Sequence, residues 1–570
     1  MIPRSLLIRA VARPGIALVA LLLVVVRVPA AAGTAAIASA HPLATAAGEE
    51  ILQRGGNAFD AAVAVAAALG VVEPYASGLG GGGFFLLHRA ADGKRTMLDA
   101  RETAPGRATR TMYLDAEGKP MARRSLDGAL AAGIPGTPAA LALLAQRYGK
   151  LPLSAALAPA IRLARDGFAV DGRYVLAAGF RESLLKADAA VARIFLDGGQ
   201  VPSPGHVVRQ PELAATLEAL AAGGRDGFYA GSVAQRLVEG VKRAGGNWEL
   251  EDLAGYRVIE RQPTAFTYRG ARITCAALPS SGGLVLAQAL QILERFALPA
   301  LPRADRDHLV VEALRRAYQD RARYLGDPDF VAPPPQLATR AYADQRALSI
   351  DPAKATSSEA LDARYPAVRG AAALREGDNT THFSIADGQG NLVAATLSVN
   401  LPFGAGVLAG DTGVLLNNEM DDFALAPGLA NAYQLTGDAA NAVGPGKRPL
   451  SSMTPTFVED GRGVLVLGSP GGSRIISMVL LGILDYVDAP APDAERLVGA
   501  PRFHHQYLPD RIEYEPRGFS PEWIAALQAK GHVVQEGRRR WGNMQAVFVP
   551  RATGEASAHG DPRGKVGVLF

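Results

Sequence analysis

Two threonines and a histidine open a strand-like run in DNTTHFSIAD, residues 378–387. Directly before it lies a stretch rich in Ala, Ser, Arg and Pro (351–378), without sustained apolar periodicity. A threonine hydroxyl is a weak nucleophile until a base takes its proton, and one economical base is the amine of the same residue, free only if that residue begins a chain. An α-amino group titrates near about 7.7–8.0, so it is available as a base at physiological pH. A threonine used in this way requires a precursor cut in front of it. The hydroxyl can make that cut itself by attacking the preceding carbonyl, giving an ester that water opens. Such chemistry asks for slack chain before the nucleophile and rigid strand after it, the form that ALREGDN followed by TTHFSIAD has. Thr380 is the candidate nucleophile and Asn379 the last residue of the released end. Paired threonines also open ordinary strands, so this form by itself does not decide the matter.

Other reactive residue types carry less. Cys275, the only cysteine, sits in the apolar run RITCAAL and reads as a buried strand residue; with one cysteine no internal disulfide forms. GLGGGG contains G-x-G-x-x-G through Gly78, Gly80 and Gly83, with Glu102 at a suggestive distance. A dinucleotide fingerprint needs a strand before it and a helix after it, whereas here EPYAS precedes and the strand FFLLHR follows. The glycines read as a tight backbone passage beside a ligand or another chain segment. His504 and His505, in RFHHQ, are neighbours on a strand and point to opposite faces. No cysteine or acid cluster completes a metal site, so neither a metal nor a cofactor is expected. No G-x-S-x-G elbow surrounds a serine.

The elements that must position Thr380 follow from periodicity. Leu43, Ala47 and Ile51 lie four apart and predict a helix from His41 to Gly55-Gly56, after which Asn57 caps AFDAAVAVAAALG. That second helix is apolar nearly all round and so belongs inside. GFFLLHR and TMLDARE read as strands, about 137–250 and 281–325 as largely helical, and APPPQ (332–336) as a proline loop. Residues 351–378 read as a mobile surface segment. Beyond them THFSIAD and NLVAATLSV flank GQG, and PTFVED and GVLVLGS flank GRG, two hairpin signals. SRIISMVLLGILDYV is a helix entered from SPGG. Paired strands with helices before and after predict antiparallel sheets stacked between helical layers.

The first residues stand apart. Arg4, Arg9 and Arg13 precede the eleven-residue apolar run Ile16 to Val26, followed by Pro29 and the small residues Ala30 to Ala32. This is the pattern of a secretory signal over 1–32, too short for a span of roughly twenty residues, with a second A-x-A at Ala38 to Ala40. The whole chain has 59 basic and 55 acidic side chains. The signal contains four arginines and no acid, so its removal leaves no net charge and no electrostatic reason to expect a nucleic-acid partner.

DNTTHFSIAD, LLNNEMDDFA, GPGKRPLSSMTPT and GSPGGSRII resemble, in order, the signatures of the γ-glutamyltranspeptidase (glutathione hydrolase) family. LDARETAP, GTPAALALLAQRYGKLPL and YLGDPDF resemble landmarks of that family's large subunit, and the similarity runs from about Ile37 to the end. The resemblance implies an α+β fold, the four-layer αββα sandwich of the N-terminal-nucleophile hydrolases. It also implies an exported, periplasmic or secreted precursor that splits into a large subunit, 33–379, and a small subunit, 380–570, which stay associated as a heterodimer. It implies glutathione and related γ-glutamyl compounds as donors, and water, amino acids or dipeptides as acceptors.

Carried onto these positions, the resemblance makes Thr380 the nucleophile for self-cleavage and for γ-glutamyl transfer, with Ser398 hydrogen-bonded to it. Arg101 grips the substrate α-carboxylate, where a planar guanidinium suits bidentate contact, with Ser451 and Ser452 on the same carboxylate. Asn400, Glu419 and Asp422 surround the α-amine, and Gly471 and Gly472 form the oxyanion hole. These glycines enter a helix whose first N–H groups are unpaired, an independent reason for that role. Residues 427–441 match a lid loop with Tyr433 in the gating position. Ser398 stands where bacterial members often have threonine, and Glu419 where they often have glutamine. The rival readings are a cephalosporin or glutaryl acylase of the same fold, which needs no ammonium site, and a secreted, unprocessed relative that only binds γ-glutamyl compounds.

Overall fold

A computed structural model describes residues 33–362, 369–370 and 379–564. The signal segment, 1–32, lies outside the described residues, as do 363–368 and 371–378, which fall within the segment read as mobile. Two six-stranded antiparallel sheets dominate. The first runs in the spatial order Ala36–Ser39, Thr380–Ala386, Leu392–Ser398, Gly82–Arg89, Lys94–Ala100, Ile259–Arg261. The second runs Ser557–Gly560, Gln545–Pro550, Gly463–Gly468, Thr456–Glu459, Ala271–Cys275, Thr264–Tyr268. Both hairpins read from the sequence are present, and the strand that begins at Thr380 is central to the first sheet, with a partner on each side.

Period-2 alternation builds the layers. Phe85, Leu87, Phe383, Ile385 and Val393 pack into one core with helices Pro42–Gln53 and Ala58–Val72. Their alternates Phe84, Leu86 and Ala394 share a second core with Leu465, Leu467 and Val547 of the facing sheet. That core continues through helices Gly282–Leu293, Arg303–Tyr324 and Ile475–Asp488. The result is helix, sheet, sheet, helix, as expected.

Local chemistry accounts for the helices. Asn57 accepts from the backbone of Phe59 and Asp60 while Asp60 accepts from Asn57 N, a reciprocal cap on a helix buried along nearly its whole circumference. In Pro42–Gln53 the buried stripe is Ala44, Ala47, Gly48 and Ile51, whereas Leu43 is exposed. Ala47 and Ile51 of the expected Leu43–Ala47–Ile51 face lie in the stripe and Leu43 falls outside it, because Ala44 and Gly48 allow this helix to lie close on its neighbour.

Two readings are refined. Residues 351–362 are anchored rather than slack: Arg315 donates to Ser358 Oγ at 2.9 Å, and Ser358 donates to Tyr507 O at 2.6 Å. The backbone pair Arg369–Gly370 forms a parallel two-residue strand with Leu429–Ala430. The glycine run is a close backbone passage. A Cβ on Gly81 would lie 2.1 Å from Ser398 O, and one on Gly80 would lie 2.0 Å from Leu415 O. Gly81→Ala should therefore lower thermal stability by about 3 kcal/mol. Gly179→Ala, in a helix with nothing within 4 Å of the added carbon, should be neutral or stabilise by up to about 1 kcal/mol. Thermal melts of both variants check this.

Candidate active site

Thr380 begins its strand and pairs across the hairpin with Ser398, the last residue of the next strand. Their hydroxyl oxygens are 3.1 Å apart. Ser398 Oγ also donates to the carbonyl oxygen of Asn379 at 3.1 Å and accepts from Asn400 N at 2.8 Å. The amide N–H occupies one serine lone pair, so the single serine proton is directed at the Asn379 carbonyl or at Thr380. Asn379 is buried, and neither polar atom of its side-chain amide has a partner. Thr381 points the other way and donates to Glu73 at 2.8 Å, as strand alternation requires.

Arg101 follows the strand Lys94–Ala100 and is buried. Its backbone N–H bonds Asp99 at 3.0 Å and its Nε bonds Pro449 O at 3.1 Å. Its two terminal nitrogens reach Glu419 Oε2 and Asp422 Oδ2, each at 2.5 Å. Burial works against the Arg101 charge, but Glu419 and Asp422 hold the guanidinium well above its usual range. Burial pushes the Glu419 carboxyl up to about 7, against the pull of Arg101 and with the push of Asp422. Glu102 is raised well above the carboxylate range by burial and by Glu419. Three acids thus crowd one arginine, and Oε1 of both Glu102 and Glu419 has no partner.

A single cleft with about 300 Å³ of empty space gathers these groups: Thr380, Ser398, Asn400, Arg101, Glu419, Asp422, Ser451, Ser452, Tyr433 and Gly472 all line it. Gly471 lies just outside the lining, at φ 136°, followed by Gly472 at φ 56°, a turn that leads into helix Ile475–Asp488. A Cβ on Gly472 would meet the Tyr433 ring at 2.2 Å, so only glycine admits the ring there. Tyr433 is buried, and its hydroxyl donates to Asn400 O at 2.8 Å. Asn400, at φ 73°, donates its side-chain amide nitrogen to Asn418 O at 2.8 Å, so that of this amide only the oxygen is left for a ligand in the cleft.

Sequence reasoning missed Asp421. It accepts from Ala432 N at 2.8 Å and from Ser125 Oγ at 2.7 Å, tying the backbone of the 427–441 loop to a residue some three hundred positions earlier. Burial pushes its carboxyl up to about 7. The acid pair in EMDDFA is the signal: the two neighbours diverge within a short 3₁₀ turn, one to Arg101 and one to the lid. His308, Glu312 and His532 also cluster, a grouping no local motif announces. The two rings bond each other at 2.8 Å and Glu312 is held by Arg315 and Arg316, so the donors are already engaged. His504 bonds Ser477 and Gln506 while His505 bonds Asp510, separate environments as expected. Cys275 is buried, which pushes its thiol up to about 12, the state of an unreactive core residue. No helix among the described residues is long and apolar enough to cross a membrane.

A threonine heading a central strand of an αββα sandwich defines an N-terminal-nucleophile hydrolase architecture. The gamma-glutamyltranspeptidase family model matches residues 44–569, and the chain belongs to that family. It is 44% identical to the glutathione hydrolase proenzyme of Escherichia coli strain K12, an alignment covering 94% of this chain and 91% of that one. It is 37% identical to the acylase ACY 1 proenzyme of Pseudomonas sp. strain V22, over 92% of each. Among solved structures, the cephalosporin acylase from Bacillus halodurans superposes with a TM-score of 0.79 at 28% identity, covering 94% of this chain and 95% of that one.

Tyr433→Phe removes the hydroxyl bond to Asn400 O. The expected outcome is a stability loss of about 1 kcal/mol or less, with faster backbone hydrogen exchange confined to 427–441. Exchange unchanged in the lid would contradict a latch at this hydroxyl.

Proposed function

We propose that this chain is an exported precursor that cuts itself between Asn379 and Thr380 and then acts as a γ-glutamyltransferase and glutathione hydrolase. The observation that carries the reading is the Ser398 hydroxyl lying 3.1 Å from both Thr380 Oγ1 and the Asn379 carbonyl oxygen. In the uncut chain Thr380 Oγ1 attacks the Asn379 carbonyl carbon, and the Ser398 proton stabilises the oxygen that becomes negative. The Asn379 C–N bond breaks, the proton from the threonine hydroxyl ends on the Thr380 nitrogen, and an ester links the two parts. Water hydrolyses it, leaving a carboxylate on Asn379 and a free amine on Thr380. Residues 33–379 and 380–570 then remain together through the shared sheet, where Thr380–Ala386 lies between Ala36–Ser39 and Leu392–Ser398.

The same hydroxyl, with the new amine as its base, attacks the γ-amide carbonyl of a donor. N–H groups at Gly471 and Gly472 take the oxyanion, the amine returns the proton to the departing nitrogen, and a γ-glutamyl ester forms. Water releases glutamate, or an acceptor amine takes the γ-glutamyl group. Recognition rests on charge. Arg101, Ser451 and Ser452 fit an α-carboxylate, while Glu419 and Asp422 fit an α-ammonium, so the cleft suits the head of an amino acid. A glutaryl donor lacks the ammonium that Glu419 and Asp422 could accept, which argues against the acylase reading. Export is supported by the basic, apolar and small-residue order of 1–32.

Two tests follow. Purified wild-type protein should contain a fragment running from Thr380 to Phe570, absent from Thr380→Ala. Ser398→Ala should slow processing by roughly a hundredfold, the cost of one oxyanion donor. A wild type that stays a single chain overturns the reading in favour of a binding protein. The second test is pH. Below about 7 Glu419 takes a proton and loses its attraction for the donor ammonium. KM for a γ-glutamyl anilide should therefore rise several-fold from about pH 7 to about pH 6, while Glu419→Gln holds KM within about twofold over that range. The fall in kcat from protonating the Thr380 amine should persist in the variant. A glutaryl anilide cleaved faster than the γ-glutamyl one would favour the acylase.

A further inference from the structure

Behind the cleft lies a charge that the mechanism above does not use. Arg321, in the last turn of helix Arg303–Tyr324, is 5% exposed. Among the described residues, Arg101, Arg181, Arg315, Arg316, Arg448, Arg474 and Arg502 are similarly buried, and each has a carboxylate within 4.0 Å. Arg321 has none. Its partners are two neutral hydroxyls, Ser281 Oγ at 2.9 Å from Nε and Ser452 Oγ at 3.2 Å from Nη2. Burial pulls its pKa down, and Asp422 opposes this from beyond contact distance. A buried guanidinium whose partners are hydroxyls is a charge that the described residues leave without a contacting counter-ion.

The position of that charge indicates what supplies the counter-ion. Ser452 lines the cleft. Ser281 Oγ, which accepts from Arg321, donates to Ser451 O at 2.7 Å, so the arginine also braces the backbone of the serine pair. A guanidinium only donates, so Ser452 meets Arg321 with an oxygen lone pair, and its one proton is left to point into the cleft. We infer that Arg321 is a positioning residue for the donor's α-carboxylate: it turns the Ser452 hydroxyl into a donor and adds a second positive charge behind it. Arg101 is already bonded to Glu419 and Asp422. Arg321 therefore adds to Arg101 a second cation, one with no acid of its own in contact, whose field helps the site select a carboxylate over a neutral group of the same shape.

The inference rests on the γ-glutamyl reading, and the test separates the two. The processed wild type, R321M and R321K are assayed on L-γ-glutamyl 4-nitroanilide and on its α-carboxamide. R321M should lose roughly tenfold or more in kcat/KM on the carboxylate donor, almost all of it in KM, and less than about twofold on the carboxamide. R321K should recover part of the loss, because it keeps the charge but cannot span both serines. Equal losses on both donors, or a loss carried by kcat, would overturn the assignment. So would a wild type indifferent to the α-carboxylate, whereas a wild type that turns over neither donor would sink the γ-glutamyl reading itself. If R321M yields no processed protein, the R321K loss is measured in wild type and in Ser452→Ala. Action through Ser452 requires that loss to shrink in the second background, and an undiminished loss refutes it.

Discussion

The site depends on one cross-strand pair. Thr380 and Ser398 stand opposite each other at the end of an antiparallel hairpin, and the hairpin register puts their hydroxyls within 3.1 Å. Because side chains alternate along a strand, a slip of one residue would send Thr380 toward the helices and bring Thr381, now bonded to Glu73, into its place. The register is held from several directions. Gly81 admits the Ser398 carbonyl at a distance no Cβ would allow, Asn400 N caps the Ser398 oxygen, and Phe383 and Ile385 lock the alternate face into the helical core.

Around that pair the protein assembles charges that burial makes expensive. Arg101, Glu102, Glu419 and Asp422 come from two distant stretches of chain and meet with little access to water. Such a group is a poor source of stability, because removing these charges from water offsets most of what their attraction returns. Under the proposed function its value lies in recognition: a ligand carrying one positive and one negative group at neighbouring atoms can exchange partners with the cluster, and a singly charged ligand cannot. Asp422 also accepts from Asn431 at 3.1 Å, and Asp421 holds Ala432 N. Residues 427–441 are thus fastened to the same acid pair that meets Arg101 and Ser125.

Much of this was legible in one sequence. Hairpin signals at GQG and GRG, the capped apolar helix after Asn57 and the strand that opens at Thr380 are local, and local rules of alternation, capping and turn chemistry decide them. The αββα layering followed from the same patterns. The form before Thr380 made it a candidate nucleophile without deciding the matter; its proposed role, like those of Arg101, Ser451, Glu419 and the others, was carried by motif resemblance.

Long-range geometry decided what remained. That Arg101 is already engaged by Glu419 and Asp422, that Asn400 donates to Asn418, that Asp421 ties Ala432 to Ser125 and that no described carboxylate contacts Arg321 are all set by the tertiary fold and not by local pattern. No periodicity records such contacts, because burial and charge balance belong to the folded environment and not to the residue. Leu43 illustrates the point on a small scale: four-residue spacing predicted a helix correctly, but which side faced the core was settled by how closely Ala44, Ala47 and Gly48 let the neighbouring elements approach. Residue order specifies the elements and the reacting groups; only packing determines which charges are compensated within the chain and which are left for a ligand.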